Sequence, residues 1–446
     1  MTQLAPPGSV PGGAGDPAPE LIGRTTLPDG PRVVTEVVPG ARSVSIGVWI
    51  GAGSRDESVD EAGAAHYLEH LLFKGTARRS AARIAEEIDA VGGELNAFTG
   101  KEHTCFYAHV LGEDVDLALD LLADVVTAAT MSVDDVELER AVVLEEIAMR
   151  ADDPEDLLGE VFDDALFGDH PLGRPVIGSE ESIEAMTRDR LHEFWRRHYS
   201  PRSLVVAAAG KLEHHRLVEL VQQRFPSDSG AAKSHLRRPP VMSSARRDRL
   251  AVLDEDTEQA HLMVGMRALD RYDPRCPALD VLNTVLGGGM SSRLFQQIRE
   301  QRGLAYSVYS ATTGYSDAGE LAVYAGCQPV RLGQVAGLVG DVLGQLAAYG
   351  PTSEELARAK GALRGGLVLG LEDTASRMHR IGRHELDLGH QRTLAESLAM
   401  IEQVDAGAVA ELATEVLSAP LTAAVVGPFA DTDELPDGLR ELVDRA

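Results

Sequence analysis

Cysteine is scarce in this 446-residue sequence. Cys105, Cys276 and Cys327 are odd in number, far apart and free of any C-x-x-C spacing. That excludes a disulfide framework and a zinc-finger pattern, and it fits a reducing compartment. Positive charge is also in short supply: 42 Lys and Arg stand against 70 Asp and Glu, a net charge of −28. Nucleic acid and anionic membrane surfaces are therefore poor partners, whereas a cationic partner suits the balance. No apolar run approaches the roughly 20 residues needed to span a bilayer. The opening stretch "MTQLAPPGSVPGGAGDPAPE" lacks the basic start and apolar core of a signal peptide, and the Arg/Ser-rich pattern of a transit peptide. It reads as a flexible tail over residues 1–21, on a protein expected in the cytoplasm.

What is present is enough apolar material for real cores, 44% hydrophobic residues against 25% charged. The length implies more than one domain. "RTTLPDGPRVVTEV" reads as a hairpin about Pro28-Asp29-Gly30. "SVSIGVWI" alternates as a half-buried strand does, with Val44, Ile46, Val48 and Ile50 on one face. "AAHYLEHLLFKGT" reads as a helix stopped at Gly75, and "SAARIAEEIDAVGG" as a second with Ile84, Ile88 and Val91 on one face. "LNAFTGKEHTCFYAHVL" is an extended ribbon, followed by two helices. After a Ser-, Gly- and Pro-containing linker, a similar set of elements returns. Aligning Pro201 with Pro420 sets the two copies 219 residues apart, too long for a solenoid repeat. The expected fold is α+β: two homologous domains from an internal duplication, each a mainly antiparallel sheet packed with helices. The expected bounds are 22–228 for the first domain, 229–247 for the linker and 248–446 for the second.

Two histidines and a glutamate occupy five consecutive positions, His66 to His70. On a helix, residues 66, 69 and 70 sit at about 0°, 300° and 40°, so all three project from one face. Histidines at i and i+4 can share one Zn²⁺ at about 2.0–2.1 Å. Glu69 beside them can take a proton from a zinc-bound water. The order H-x-x-E-H reverses the common zincin motif. The alternative is a set of solvent-facing helical residues. A third ligand can come from "VELERAVVLEEIAM", where Glu139 and Glu146 share a face and Glu145 points about 100° away. One of the pair would bind metal and the other orient a histidine. In the second copy the matching stretch, "LDVLNTVLGG", has no ligand chemistry.

With "HYLEHLLFKGT", "GGELNAFTGKEHTCFYAHV", "VVLEEI", "HPLGRPVIG" and "SRLFQQIREQRGLAYSVYS", the sequence resembles the pitrilysin-type zinc metallopeptidases from about residue 22 to about residue 430. Within that family it resembles the mitochondrial processing peptidase branch and its bacterial relatives. The resemblance implies His66, His70 and Glu146 as ligands of one zinc per chain, Glu69 as general base, and Glu139 behind the ligands. It implies that Asn96, Ala97 and Phe98 lie on an edge strand that pairs with the peptide backbone. It also implies that Arg299 and Tyr306 reach the substrate and the developing oxyanion. The expected activity is zinc-dependent endopeptidase cleavage of unfolded peptides in an enclosed chamber. A non-catalytic scaffold or chaperone-like subunit of the same fold is the alternative, and the intact motif and the short "VLGGGMSSRL" loop count against it. A small-molecule metallohydrolase is a further one, and the edge strand counts against that. In this branch two chains build the chamber, so a homodimer is expected, or a heterodimer with an inactive homologue. The acidic run "RADDPEDLLGEVFDDALFGD" is either a solvated face or a chamber wall that favours basic peptides.

Overall fold

A computed structural model of the chain describes residues 21–225 and 249–444. The tail and the linker expected from the sequence lie outside the described residues, except for Leu21 at one edge. The first sheet has six strands: β1 (Leu21–Thr26), β2 (Arg32–Val37), β3 (Ser43–Ile50), β4 (Glu94–Thr99), β5 (Thr104–Leu111) and β6 (Val205–Gly210). The second has five: β7 (Leu250–Asp254), β8 (Ala260–Ala268), β9 (Ala305–Gly314), β10 (Gly319–Cys327) and β11 (Thr422–Gly427). Helices of the first half are α1 (Ala64–Leu72), α2 (Ala81–Asp89), α3 (Val115–Ala128), α4 (Val133–Ala151), α5 (Pro154–Phe167), α6 (Glu180–Ala185), α7 (Arg188–His198) and α8 (His214–Arg224). Those of the second are α9 (Cys276–Leu286), α10 (Leu332–Tyr349), α11 (Ser353–Gly370), α12 (Thr374–Arg383), α13 (Leu394–Gln403), α14 (Ala406–Leu417) and α15 (Asp437–Asp444).

The sheets run β1-β2-β6-β3-β5-β4 and β7-β11-β8-β10-β9. Apart from β1 the two orders are one topology. Each has a single parallel pair, β2 with β6 and β7 with β11, in an otherwise antiparallel sheet. This is the two-domain α+β fold expected from the duplication. One detail differs from the sequence alignment. Gly210 and Gly427 close the matching strands β6 and β11 and are 217 residues apart, because the lead-in after Pro420 is two residues shorter than after Pro201.

The strand β3 is not half-buried: it is covered on both sides. Val44, Ile46, Val48 and Ile50 face the first core, together with Leu68, Leu71 and Phe106. The opposite face, around Trp49, packs under Met378 and Ile381 of α12, a helix of the second half. Gly47 makes room for it, since a Cβ there would stand 2.6 Å from the Met378 sulfur. The exchange is reciprocal. Helix α5 of the first half lays Leu158 and Phe162 on Ala424 and Val426 of the second sheet. At Gly265 a Cβ would stand 2.7 Å from the Phe162 ring. Burying each such side chain contributes about 1.5–3 kcal/mol.

Ion pairs fix α12 in place. Buried Glu36 meets Arg377 and Arg380, and buried Glu385 meets Arg24 at 2.7 Å and Arg32 at 3.2 Å. The two halves are thus fastened by each other's helices, and the site lies beside that fastening.

Candidate metal centre

Helix α1 starts abruptly at Gly63, whose φ of 88° is open to glycine at little cost. The side chain that satisfies its first turn comes from outside: Glu57 accepts from the N–H of Gly63 at 2.9 Å and of Ala65 at 2.8 Å. Burial pushes the Glu57 carboxyl up to about 8, against the pull of those two bonds. Tyr67, Leu68, Leu71 and Leu72 are fully buried, and the Tyr67 hydroxyl donates to the Val136 carbonyl at 2.5 Å, tying α1 to α4. With that face committed to the core, His66, Glu69 and His70 project from the other side, as the helical spacing requires. The helix ends at Leu72, three residues before Gly75.

Helix α4 is capped by Ser132, which accepts from the Asp135 N–H, and it passes alongside α1. Glu146 Oε2 lies 3.5 Å from His66 Nε2 and 3.4 Å from His70 Nε2. For ligands about 2.0–2.1 Å from a tetrahedral zinc, the distance between two donor atoms is about 3.3–3.4 Å. All three donor atoms lie within 4.8 Å of one another. Glu146 Oε2 is buried and accepts no hydrogen bond among the described residues, an arrangement a cation would relieve. Burial, then His70 and Arg150, push the His66 imidazole down to about 4, so it is neutral, the form that ligates metal. Behind it Glu139, 2% exposed, accepts from His70 Nδ1 at 3.2 Å while its other oxygen meets the Lys74 ammonium. Glu145 is exposed. Two imidazoles and a carboxylate, with room for a fourth group, fit a zinc site of the open kind.

Glu69 points into the same space. Its Oε2 accepts from the Thr99 hydroxyl at 2.5 Å. Burial raises the Glu69 carboxyl, the Thr99 bond and His70 pull it back, and Glu146 raises it further. Thr99 ends β4, which among the described residues pairs only with β5 and leaves its other edge free. Asn96 on that edge is exposed, and its side-chain oxygen accepts from the Ala97 N–H at 2.8 Å. The Phe98 ring sits among Trp49 at 5.7 Å, His379 at 5.4 Å and His103 at 5.9 Å.

His66 and Glu69 open onto a cavity of 580 Å³. The β4 side supplies Ala97, Phe98 and Thr99, and the second sheet supplies Tyr309, Glu320 and Tyr324. The acidic run divides. Asp153 caps α5, Asp152, Asp164 and Asp169 are exposed, and Glu155, Asp156, Glu160 and Asp163 line the cavity. Asp163 pairs with Lys101 at 2.9 Å and Glu160 with Arg150 at 3.3 Å. Burial, and then Asp163, push Glu320 up to about 7.

Arg299 and Tyr306 do not join this site. They lie beside each other, the guanidinium 5.1 Å from the Tyr306 ring; Tyr306 is 81% exposed, and neither residue lines the cavity. Thr99, Glu57 and Lys101 are site residues that sequence reasoning missed. Thr99 stood in the quoted "NAFT" stretch, and only its closeness to Glu69 singles it out.

The chain is thus a duplicated α+β protein, and helices α1 and α4 of its first half bring together a donor set that fits zinc. Residues 32–180 match the family described as insulinase (peptidase family M16), and residues 185–363 match the peptidase M16 inactive domain. A protein of Mycobacterium tuberculosis named an uncharacterized zinc protease is 54% identical over 434 residues, 96% of this chain and 98% of that protein. The uncharacterized zinc protease YmxG of Bacillus subtilis is 40% identical over 408 residues, 92% of this chain and 98% of that one. A solved protease from Helicobacter pylori has a TM-score of 0.84 at 22% identity, covering 92% of this chain and 100% of its own. A peptidase M16 inactive domain from Pseudomonas fluorescens has a TM-score of 0.83 at 22% identity, covering 93% and 100%. The chain belongs to peptidase family M16, the insulinase or pitrilysin family. Among its described residues no helix is long and apolar enough to cross a membrane.

Proposed function

We propose that the protein is a zinc-dependent endopeptidase that cuts unfolded peptides, with His66, His70 and Glu146 holding one zinc per chain. The observation that carries this reading is the pair of 3.4 and 3.5 Å separations at Glu146 Oε2, the length expected between two ligands of one tetrahedral zinc. Bound there, zinc supplies Lewis acidity and lowers the pKa of a water towards about 7. Glu69 accepts the proton of the attacking water as its oxygen bonds to the peptide carbonyl carbon, then delivers it to the leaving amine nitrogen as the C–N bond breaks. The Thr99 hydroxyl holds the Glu69 carboxylate in place for both transfers. Glu139, by accepting from His70 Nδ1, turns the lone pair of Nε2 towards Glu146. The free edge of β4, through Asn96, Ala97 and Phe98, pairs with an extended peptide, whose first step displaces the Asn96 side chain from the Ala97 N–H.

Arg299, half-buried, and Tyr306, exposed, do not line their own chain's cavity and act on a second copy's cleft, which makes the working unit a homodimer. A heterodimer with an inactive homologue would serve the same geometry. Activity in a population that light scattering shows to be monomeric would rule both out. The cavity carboxylates Asp156 and Glu160 favour peptides with Arg or Lys near the cut. Three free thiols, two of them buried, suit the cytoplasm. The direct test is zinc content and cleavage of a quenched peptide library, wild type against Glu69→Gln. Both proteins should hold one zinc, and only the wild type should cut. A fully active Glu69→Gln would overturn the assignment of the base.

A further inference from the structure

We propose that Glu102 is a positioning residue, one that couples the peptide-binding edge strand β4 to the second half of the chain. The inference rests on the peptidase reading for the meaning of β4, and on the contacts alone for the coupling. Glu102 stands in the turn 100–103 between β4 and β5, and it is 3% exposed. Its partner across the domain boundary is the turn 315–318 between β9 and β10. Glu102 Oε1 accepts from the Ser316 N–H at 3.1 Å and the Ser316 hydroxyl at 2.7 Å. The same carboxylate takes Arg55 of the first half at 2.6 Å and Arg271 of the second half at 2.6 Å. Arg55 also pairs with Asp317 at 2.8 Å, and Arg271 with Asp387 at 2.6 Å.

The hairpins that carry one edge strand of each sheet, β4 and β9, therefore meet at their tips through one buried carboxylate. The turn around it is also held by bonds to the rest of the first half. Gly100 and Lys101 carbonyls accept from the N–H groups of Ser54 and Arg55, and Lys101 Nζ donates to the carbonyls of Leu172 and Arg174. A buried ionic cluster is a weak source of net stability against well-packed apolar groups, and its attested use is to fix register. The register fixed here is that of β4 against the wall of the cavity built by β9 and β10. Loss of the Glu102 charge leaves each arginine one carboxylate, Asp317 or Asp387, so the cluster loosens without collapsing. Thr99, which ends β4 next to this turn, keeps its own bond to Glu69 when Glu102 is changed, so the effect falls on the register of the rest of β4, and hence on peptide binding, rather than on the chemical step.

The test uses the full chain with Glu102→Gln, Glu102→Asp and Ser316→Ala. Hydrogen exchange should quicken in residues 94–103 and 315–318 together in Glu102→Gln, with Glu102→Asp and Ser316→Ala intermediate. A labelled peptide long enough to cross the cavity should bind the metal-stripped variant about tenfold more weakly, and KM for its cleavage should rise by the same factor with kcat nearly unchanged. Faster exchange confined to residues 100–103, or a loss carried by kcat instead of KM, would overturn the proposal. A wild type that cuts nothing would defeat the peptidase reading, and the exchange and binding measurements would still decide the coupling.

Discussion

The motif helix and its counterpart in the second half bury the same positions and present different chemistry. Tyr67, Leu68, Leu71 and Leu72 of α1 correspond to Val281, Leu282, Val285 and Leu286 of α9, and all eight are buried. In that alignment His66, Glu69 and His70 fall on Asp280, Asn283 and Thr284. The next helices repeat the pattern. Ser132 and Thr352 cap α4 and α11, which sets Glu139 against Ala359 and Glu146 against Gly366. Glu139 and Ala359 are both buried. Duplication kept the inward faces of these helices that build a core while their outward faces differ, so among the described residues the metal donor set stands in the first half and the second half contributes to the cavity wall instead.

The largest effects should come from the residues that differ. His66→Ala and Glu146→Gln should each abolish zinc occupancy, measured by metal analysis, and with it all cleavage. Full zinc in Glu146→Gln would mean that the third ligand lies elsewhere. Next is the exchange of helices, which the halves share. Phe162→Ala should cost about 3–5 kcal/mol in denaturant unfolding and Met378→Ala about 2–5 kcal/mol, if α5 and α12 are equivalent anchors. A cost near zero at either one would make the exchange lopsided. Glu139→Gln should weaken zinc binding about 10–100-fold without eliminating it, read by competition with a chelator. A fourth experiment tries to erase the difference between the halves. Asp280→His, Asn283→Glu and Thr284→His together should still leave one zinc per chain, because Gly366 offers no carboxylate. Adding Gly366→Glu, where a Cβ meets nothing within 4 Å, should raise the count towards two. The smallest effect expected is on specificity. A peptide with Arg near the cut should outrun its Gln twin at low salt, and the gap should narrow as the Debye length falls below about 8–10 Å. Equal rates at both salts would return the acidic run to a solvated face.

Much of this was legible because it is local. The spacing of His66, Glu69 and His70 fixes one helical face whatever the helix packs against, and the separation of Glu139 from Glu146 does the same on α4. The duplication was legible in repeated element order, although the alignment on proline slipped by two residues where one lead-in is shorter. What could not be read was tertiary. The alternation in β3 suggests a solvent face because Gly47 and Ser45 interrupt the apolar pattern, yet Gly47 is the gap that admits Met378 from a helix more than 300 residues later. Thr99 looks like any strand threonine until the fold brings it to Glu69. The acidic run resisted a single reading for a physical reason: α5 is wedged between a sheet and a cavity, so neighbouring carboxylates cap, pair, or face the cleft.

The reciprocal placement of α5 and α12 bears on ancestry. Each helix completes a sheet that its own half leaves bare, which is the arrangement of two identical chains that have traded an arm. A single ancestral half would have had a bare apolar sheet face when alone and a covered one only as a pair. Gene fusion would then have made that pair permanent. Either half of the present chain, produced alone, should therefore pair with itself or precipitate rather than persist as a folded monomer.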